Sequence, residues 1–178
     1  MSEKKLTVAQ KIHARKIKKP PTIICRILAW VWKMLFMKKY GVKVTYNVDI
    51  RKDKGPYILV SNHASRADYI FTGVPMLPNC CNYVAGYNEF HRSHLAFVFK
   101  LLQVIPKKNF VPDVYTIKQV SRVLQSGGRV VLFPEGMSSI SGANQPVAVG
   151  TGKFIKHFGV PVYYSKINGG YLATPKYN

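Results

Sequence analysis

Two short, almost wholly apolar runs, separated by segments of helical period, constrain this chain more than any other feature. Pro56-Tyr57-Ile58-Leu59-Val60 and Arg129-Val130-Val131-Leu132-Phe133 are too short for buried helices and are bounded by turn residues, so both read as strands covered on two faces. Between them, Val114, Ile117, Val120, Val123 and Leu124 recur at the spacing of one helix face over residues 113–125, and Gly127-Gly128 stops that helix. Shorter strand signals lie at 83–85, 104–105 and 160–164, and further helical patterns at 67–76, 94–102 and 152–158. Strand, crossover helix, strand is the grammar of an α/β domain with a mostly parallel sheet flanked by helices. With 178 residues and no internal repeat, a single domain is expected.

Charge speaks to partners rather than to fold. Twenty-seven Lys and Arg stand against seven Asp and Glu, a formal net charge of +20, so a polyanion is expected nearby. An anionic bilayer, a nucleic acid or a phosphorylated substrate each fits. The aromatic residues do not alternate with basic ones and no recognised module is present, so no specific nucleic acid is expected. A non-catalytic basic protein that binds membrane or nucleic acid remains the rival class. Cys25, Cys80 and Cys81 form neither a disulfide framework nor a metal-ligand spacing, which fits a reducing compartment. Glu3, Asp49, Asp53, Glu89 and Asp113 lie in polar surroundings and read as solvated surface carboxylates, whereas Asp68 and Glu135 each follow an apolar run.

The N-terminal part divides in two. Residues 1–21 are a basic leader, mobile or weakly helical, without the apolar core of a secretory signal. Residues 22–41 contain an apolar stretch of about 15 residues, shorter than the ~20 needed to span a bilayer, and broken by Arg26 and Lys33. Seven residues apart, these two cations share one line of a helix, and Trp30, Trp32 and Lys38-Lys39 accompany them. The segment therefore reads as an amphipathic helix at the headgroup boundary of an anionic membrane, the alternative being an ordinary helix packed on the domain. Residues 42–178 form the domain proper.

Chemistry concentrates behind the two clear strands. Ser61-Asn62-His63-Ala64-Ser65-Arg66-Ala67-Asp68 follows the first, at the strand end where ligands of parallel sheets collect. Residues five apart on a helix diverge by ~140°, so a His63–Asp68 bond needs His63 in the turn and Asp68 in the first helical turn. One reading makes Asp68 a capping-box partner of Ser65 and His63 a satisfied loop residue. The other has Asp68 fix the tautomer of His63, which takes a proton from an attacking hydroxyl. Phe133-Pro134-Glu135-Gly136-Met137-Ser138-Ser139 follows the second strand, and Gly136 permits a tight turn. Glu135 would there bind acceptor hydroxyls or anchor loop amides. Ser61 and Ser65 flank His63, but no nucleophile elbow accompanies them, which argues against a serine hydrolase.

In this order the two blocks resemble those of the glycerolipid acyltransferases, of the lysophosphatidic acid acyltransferase type. Asn62-His63 with Asp68 matches their N-H-x-x-x-x-D block, Phe133-Pro134-Glu135-Gly136 their F-P-E-G block, and Val160-Pro161-Val162 their fourth, hydrophobic block. The resemblance runs from about residue 54 to residue 172. It implies an acyltransferase domain over 42–178, cut short at its C-terminal end or unusually small. It further implies His63 as general base, Asp68 as its orienter, and direct attack on acyl-CoA or an acyl-carrier protein. The acceptor would be a lysophospholipid or glycerol phosphate at the cytoplasmic face of the membrane, with neither a metal nor a covalent acyl-enzyme. Asn62, Arg66, Phe133, Pro134, Glu135 and Gly136 become substrate-binding candidates. Lys107 and Lys108 stand where the second block usually carries a phosphate-binding Arg, and Met137-Ser138 replace the Thr-Arg that usually ends the third.

Overall fold

A computed structural model describes residues 14–92, 96–108 and 113–174. Its sheet comprises β1 (Tyr57–Ser61), β2 (Asn82–Gly86), β3 (Ile105–Lys107), β4 (Arg129–Leu132) and β5 (Val162–Ser165). Their order is β3-β2-β4-β1-β5, and every neighbouring pair is parallel. The helices are α1 (Thr22–Trp32), α2 (Asp68–Gly73), α3 (Glu89–Arg92), α4 (Ala96–Leu101), α5 (Val114–Gln125), α6 (Thr151–Lys156) and α7 (Gly170–Ala173). The expected α/β architecture with a parallel sheet is the one found.

Period-two alternation puts helices on both faces. Ile58, Val130 and Leu132 point to one side, against Val120, Val123 and Leu124 of α5, with Phe154 and Ile155 of α6 at the margin. Tyr57, Leu59 and Val131 point to the other, onto Met76 and Cys81. Beyond them α1 and α2 pack through Ala29, Ile70 and Phe71. Because β4 is inserted between β1 and β2, the interior strand β1 has β4 and β5 as neighbours, in the registers Val60↔Leu132 and Ser61↔Ser165. The loops leaving these three strands therefore emerge side by side. That juxtaposition makes the site.

Several elements differ from their sequence signals. The helical pattern at 67–76 yields α2 only to Gly73, because Pro75 and Pro78 remove the N–H donors a longer helix would use. The helix read at 94–102 is α4, and His94 lies outside the described residues. Residues 1–13 of the leader also lie outside them, but from residue 14 the chain is docked rather than solvated. Ile17 is completely buried in the α5-side core, its N–H donates to Gln119 Oε1 at 2.9 Å, and Asn82 Nδ2 donates to the Lys18 carbonyl at 2.8 Å. One apolar residue and two buried amides outweigh the solvation of the flanking lysines. Asp113 is no idle surface carboxylate: it caps α5, accepting from Tyr115 N at 3.1 Å and Thr116 Oγ1 at 2.9 Å.

The segment from α1 through the π-helical turn Lys33–Met37 is helical as expected. It packs on the domain through Ala29, Met37 and an edge-on contact of Trp32 with Tyr69, ring centroids 5.3 Å apart. Its outer face leaves Ile23, Ile27, Trp30 and Leu35 exposed, with Arg26 and Lys33 among them. No helix of the described residues is long and apolar enough to cross a membrane.

Candidate active site

His63 leaves the end of β1 in the turn that precedes α2, and Asp68 opens that helix, the one arrangement that lets residues five apart meet. His63 Nδ1 lies 2.8 Å from Asp68 Oδ2. Asp68 is fully buried, and two further donors converge on it: Ser65 N on Oδ2 and Ser65 Oγ on Oδ1, each at 2.8 Å. A buried carboxylate is tolerable only with such partners. The carboxylate that ties Ser65 to the helix start thus also holds the imidazole, while the helix itself is capped at Ala67 rather than at Ser65. Asp68 offers the ring acceptors, so in the neutral imidazole Nδ1 carries the proton and Nε2 keeps its lone pair. The hydroxyl that a serine hydrolase would need is occupied on Asp68.

The imidazole is clamped from a second side. Phe133, just past β4, stacks on it with ring centroids 4.4 Å apart and planes inclined by 21°. The His63 side chain keeps 22% of its surface exposed. Its backbone is held as well: His63 N donates to Glu135 Oε1 at 3.0 Å, and Ser139 N donates to the His63 carbonyl at 2.8 Å. Glu135 Oε2 accepts from Gln145 N at 2.9 Å. With both oxygens on loop amides, Glu135 has the geometry of an anchor joining the β1 and β4 loops. Gly136, at φ +76°, closes that turn with its N–H on the Phe133 carbonyl at 3.1 Å, and the Pro134 carbonyl accepts from Ala148 N at 2.8 Å.

Asn62 ties the third loop in. Its carboxamide accepts from Ile167 N at 2.7 Å and donates to the Ile167 carbonyl at 2.9 Å, with Asn144 Oδ1 at 3.2 Å. Just beyond, Gly170 packs so closely that a Cβ there would stand 2.9 Å from Ile167 Cγ2 and 3.3 Å from Asp68 Oδ1. Arg66 is exposed in the His63 loop. Lys107 and Lys108 are exposed at the end of β3, which is three strand spacings from β1, about 14 Å. Asn62, His63, Asp68, Phe133, Pro134, Glu135 and Gly136 are therefore gathered in one place, whereas the two lysines stand across the sheet edge. Asn144, Gln145 and Ile167 carry no sequence signal beyond turn composition because they lie in irregular loops, and Gly170 opens a helix of only four residues.

Fold and site define an α/β protein in which the loop after an interior strand presents an imidazole, oriented by a buried carboxylate, at the carboxyl-terminal edge of a parallel sheet. The chain belongs to the Acyltransferase family, whose model matches residues 41–164. It is 27% identical over 104 residues to the 1-acyl-sn-glycerol-3-phosphate acyltransferase of Bacillus subtilis (strain 168), a match covering 58% of this chain and 52% of that protein. The chain thus spans about half the length of that relative. The crystal structure of the 1-acyl-sn-glycerophosphate (LPA) acyltransferase PlsC from Thermotoga maritima shares the fold, with a TM-score of 0.58 and 19% identity. That likeness covers 79% of this chain and 55% of the other.

Proposed function

We propose that this protein transfers a fatty acyl group from acyl-CoA or an acyl-carrier protein to a hydroxyl of a lysophospholipid or glycerol phosphate, in phospholipid synthesis. The observation that carries this reading is the 2.8 Å bond from His63 Nδ1 to the buried carboxylate of Asp68, which leaves Nε2 free as base. The acceptor oxygen attacks the thioester carbonyl while His63 Nε2 takes its proton. A C–O bond forms, the C–S bond breaks, and the imidazolium returns the proton to the departing thiolate. Asp68 stabilises the imidazolium, and the Phe133 stack with the Glu135 anchor keeps the ring in place. The names of the relatives, both acting on 1-acylglycerol phosphates, support the acceptor class.

The outer face of α1 supports a place for the reaction. Ile23 and Trp30, 73% and 64% exposed, flank Arg26 on one side of the helix, a pattern suited to an anionic headgroup layer. The protein then works on the cytoplasmic face of the membrane as a peripheral or monotopic enzyme, with acceptors arriving from the bilayer.

Thiol release from palmitoyl-CoA and from a palmitoylated carrier protein, with and without lysophosphatidic acid, tests the reading. Acceptor-dependent release is expected from wild type and should fall by about 10²–10⁴ in His63→Ala, the usual weight of a general base. Asp68→Asn should also lose most activity, because its amide cannot accept at every oxygen that now receives a donor. Full activity in His63→Ala would sink the assignment.

A further inference from the structure

Two of the three cysteines meet beneath α1. Cys25 stands in the first turn of that helix, its N–H on the Pro21 carbonyl at 3.0 Å. Helical side chains lean back over the preceding turn, so its thiol lies over Thr22. Cys80 reaches the same place from the loop before β2, its Sγ 4.0 Å from the Thr22 carbonyl and 3.8 Å from that of Pro78. Both thiols line one narrow cavity of about 50 Å³ between α1 and the sheet, with Leu28, Trp32, Tyr69 and Tyr83. Both are partly buried and unbridged. Cys81 borders the same cavity but is buried, its Sγ 3.8 Å from Met76 Sδ.

The hydrogen bond between the Cys25 and Cys80 thiols is the largest influence on each of them. It holds the proton on Cys25, whose thiol is raised far above its ordinary range, with burial and the neighbouring sulfurs adding to the effect. The same bond brings the Cys80 thiol down to about 7 against the opposing effect of burial, and the Arg26 and Arg129 cations assist it. Near neutral pH much of Cys80 is therefore thiolate, the nucleophilic form, in contact with a protonated thiol. A partly accessible thiolate beside a second cysteine is the arrangement of a redox-sensing pair, whereas structural cysteines are buried and inert.

We propose that Cys25 and Cys80 form a reversible disulfide that clamps α1 to the loop before β2 when a low-molecular-weight disulfide becomes abundant. The Cys80 thiolate attacks one sulfur of that oxidant and expels the other as a thiolate, leaving a mixed disulfide on Cys80. Cys25, no longer hydrogen-bonded to a thiolate, gives its proton to the expelled thiolate and attacks the Cys80 sulfur. The second small thiolate leaves and takes a proton from solvent. Two protein thiols are thereby oxidised, and one small disulfide is reduced to two thiols. Transient, redox-sensing bonds are the kind a reducing compartment permits.

Among the described elements α1 is the one this bond would restrain. It rests on the domain through Ala29 and Trp32 above the cavity, and its outer face is exposed. Trp32 meets Tyr69 edge-on, and Tyr69 directly follows Asp68. Fixing α1 at its first turn therefore restrains the layer that carries the orienter of His63. The clamp goes beyond the acyl-transfer reading and does not depend on it.

The full chain equilibrated with oxidised and reduced glutathione at a series of ratios tests the pair, with free thiols trapped by alkylation and peptides mapped by mass spectrometry. A Cys25–Cys80 linkage is expected at the oxidising end, reversed by excess reduced glutathione, with Cys81 recovered as a free thiol throughout. Cys25→Ser should instead accumulate glutathione on Cys80, and Cys80→Ser should leave Cys25 unmodified. Amide hydrogen exchange in residues 22–32 should slow by about tenfold or more in the oxidised wild type and stay unchanged in Cys25→Ser. A Cys80–Cys81 linkage, glutathione retained on wild-type Cys80, or a wild type still reduced at the oxidising end overturns the proposal. Equal exchange of α1 in the oxidised and reduced wild type overturns the clamp.

Discussion

At the scale of single residues the site is a set of side chains that each hold another one still. Asp68 holds the ring of His63, Phe133 holds its plane, and Glu135 holds its backbone and that of Gln145. Asn62 holds the loop after β5. The contacts of the Phe-Pro-Glu-Gly block thus run mainly to the loop of the histidine seventy-odd residues before it, which suits a positioning role. Glu135→Gln tests this role. The new amide nitrogen would face one of two N–H donors, leaving a partly buried donor without an acceptor, at a cost of about 1 kcal/mol. Urea denaturation should show that loss, and kcat should fall while KM for the acceptor stays nearly constant. A rise in acceptor KM at unchanged kcat would instead make Glu135 a direct acceptor contact.

Secondary-structure elements deliver these residues through their ends. The long helix α5 braces the sheet through Val120, Val123 and Leu124 and begins at Asp113, whose carboxylate also accepts from Lys108 N at 2.9 Å. Burial works against the Asp113 charge, but the N–H groups of Lys108, Tyr115 and Thr116 and the Thr116 hydroxyl outweigh it and hold the carboxyl below its ordinary 3.8. A folded value lower than the unfolded one adds stability above the ordinary value, and that gain is lost as pH falls through the lowered one. Asp113→Ala should therefore cost about 0.5–2 kcal/mol at neutral pH, and wild type and variant should converge in acid, below about pH 4. Urea midpoints measured at several pH values would show it; a constant difference down to pH 2 would mean that the charge contributes nothing. From sequence alone Asp113 resembled any polar-loop carboxylate, because a cap is recognised only once the helix start is placed to the residue.

On the scale of the whole molecule the two features to reconcile are the charge of +20 and the exposed face of α1. Binding to phosphatidylglycerol vesicles should exceed binding to phosphatidylcholine vesicles. It should weaken with salt as screening shortens from about 10 Å at 0.1 M to about 3 Å at 1 M. The salt-resistant remainder should fall roughly tenfold in Trp30→Glu, which removes one large apolar contact and adds a repelled charge. Equal vesicle binding by this variant in high salt would exclude the outer face of α1 as the contact.

How much was legible follows the range of the interactions involved. Strand runs, the α5 period and the two polar blocks were readable because hydrophobic alternation and turn residues act over a few positions, and they led to a parallel α/β sheet. Spacing also showed that His63 and Asp68 meet only if a turn precedes a helix, which is how they meet. The strand order β3-β2-β4-β1-β5 was not readable, and it alone sets β4 and β5 beside β1 and leaves Lys107 three strands away. The anchoring of Ile17 against α5, and of Asn62 to Ile167, likewise joins residues about a hundred positions apart. Local pattern determines which segments become strands and which residues stand at their ends; only the packing of distant segments against one another decides which of those ends share a site.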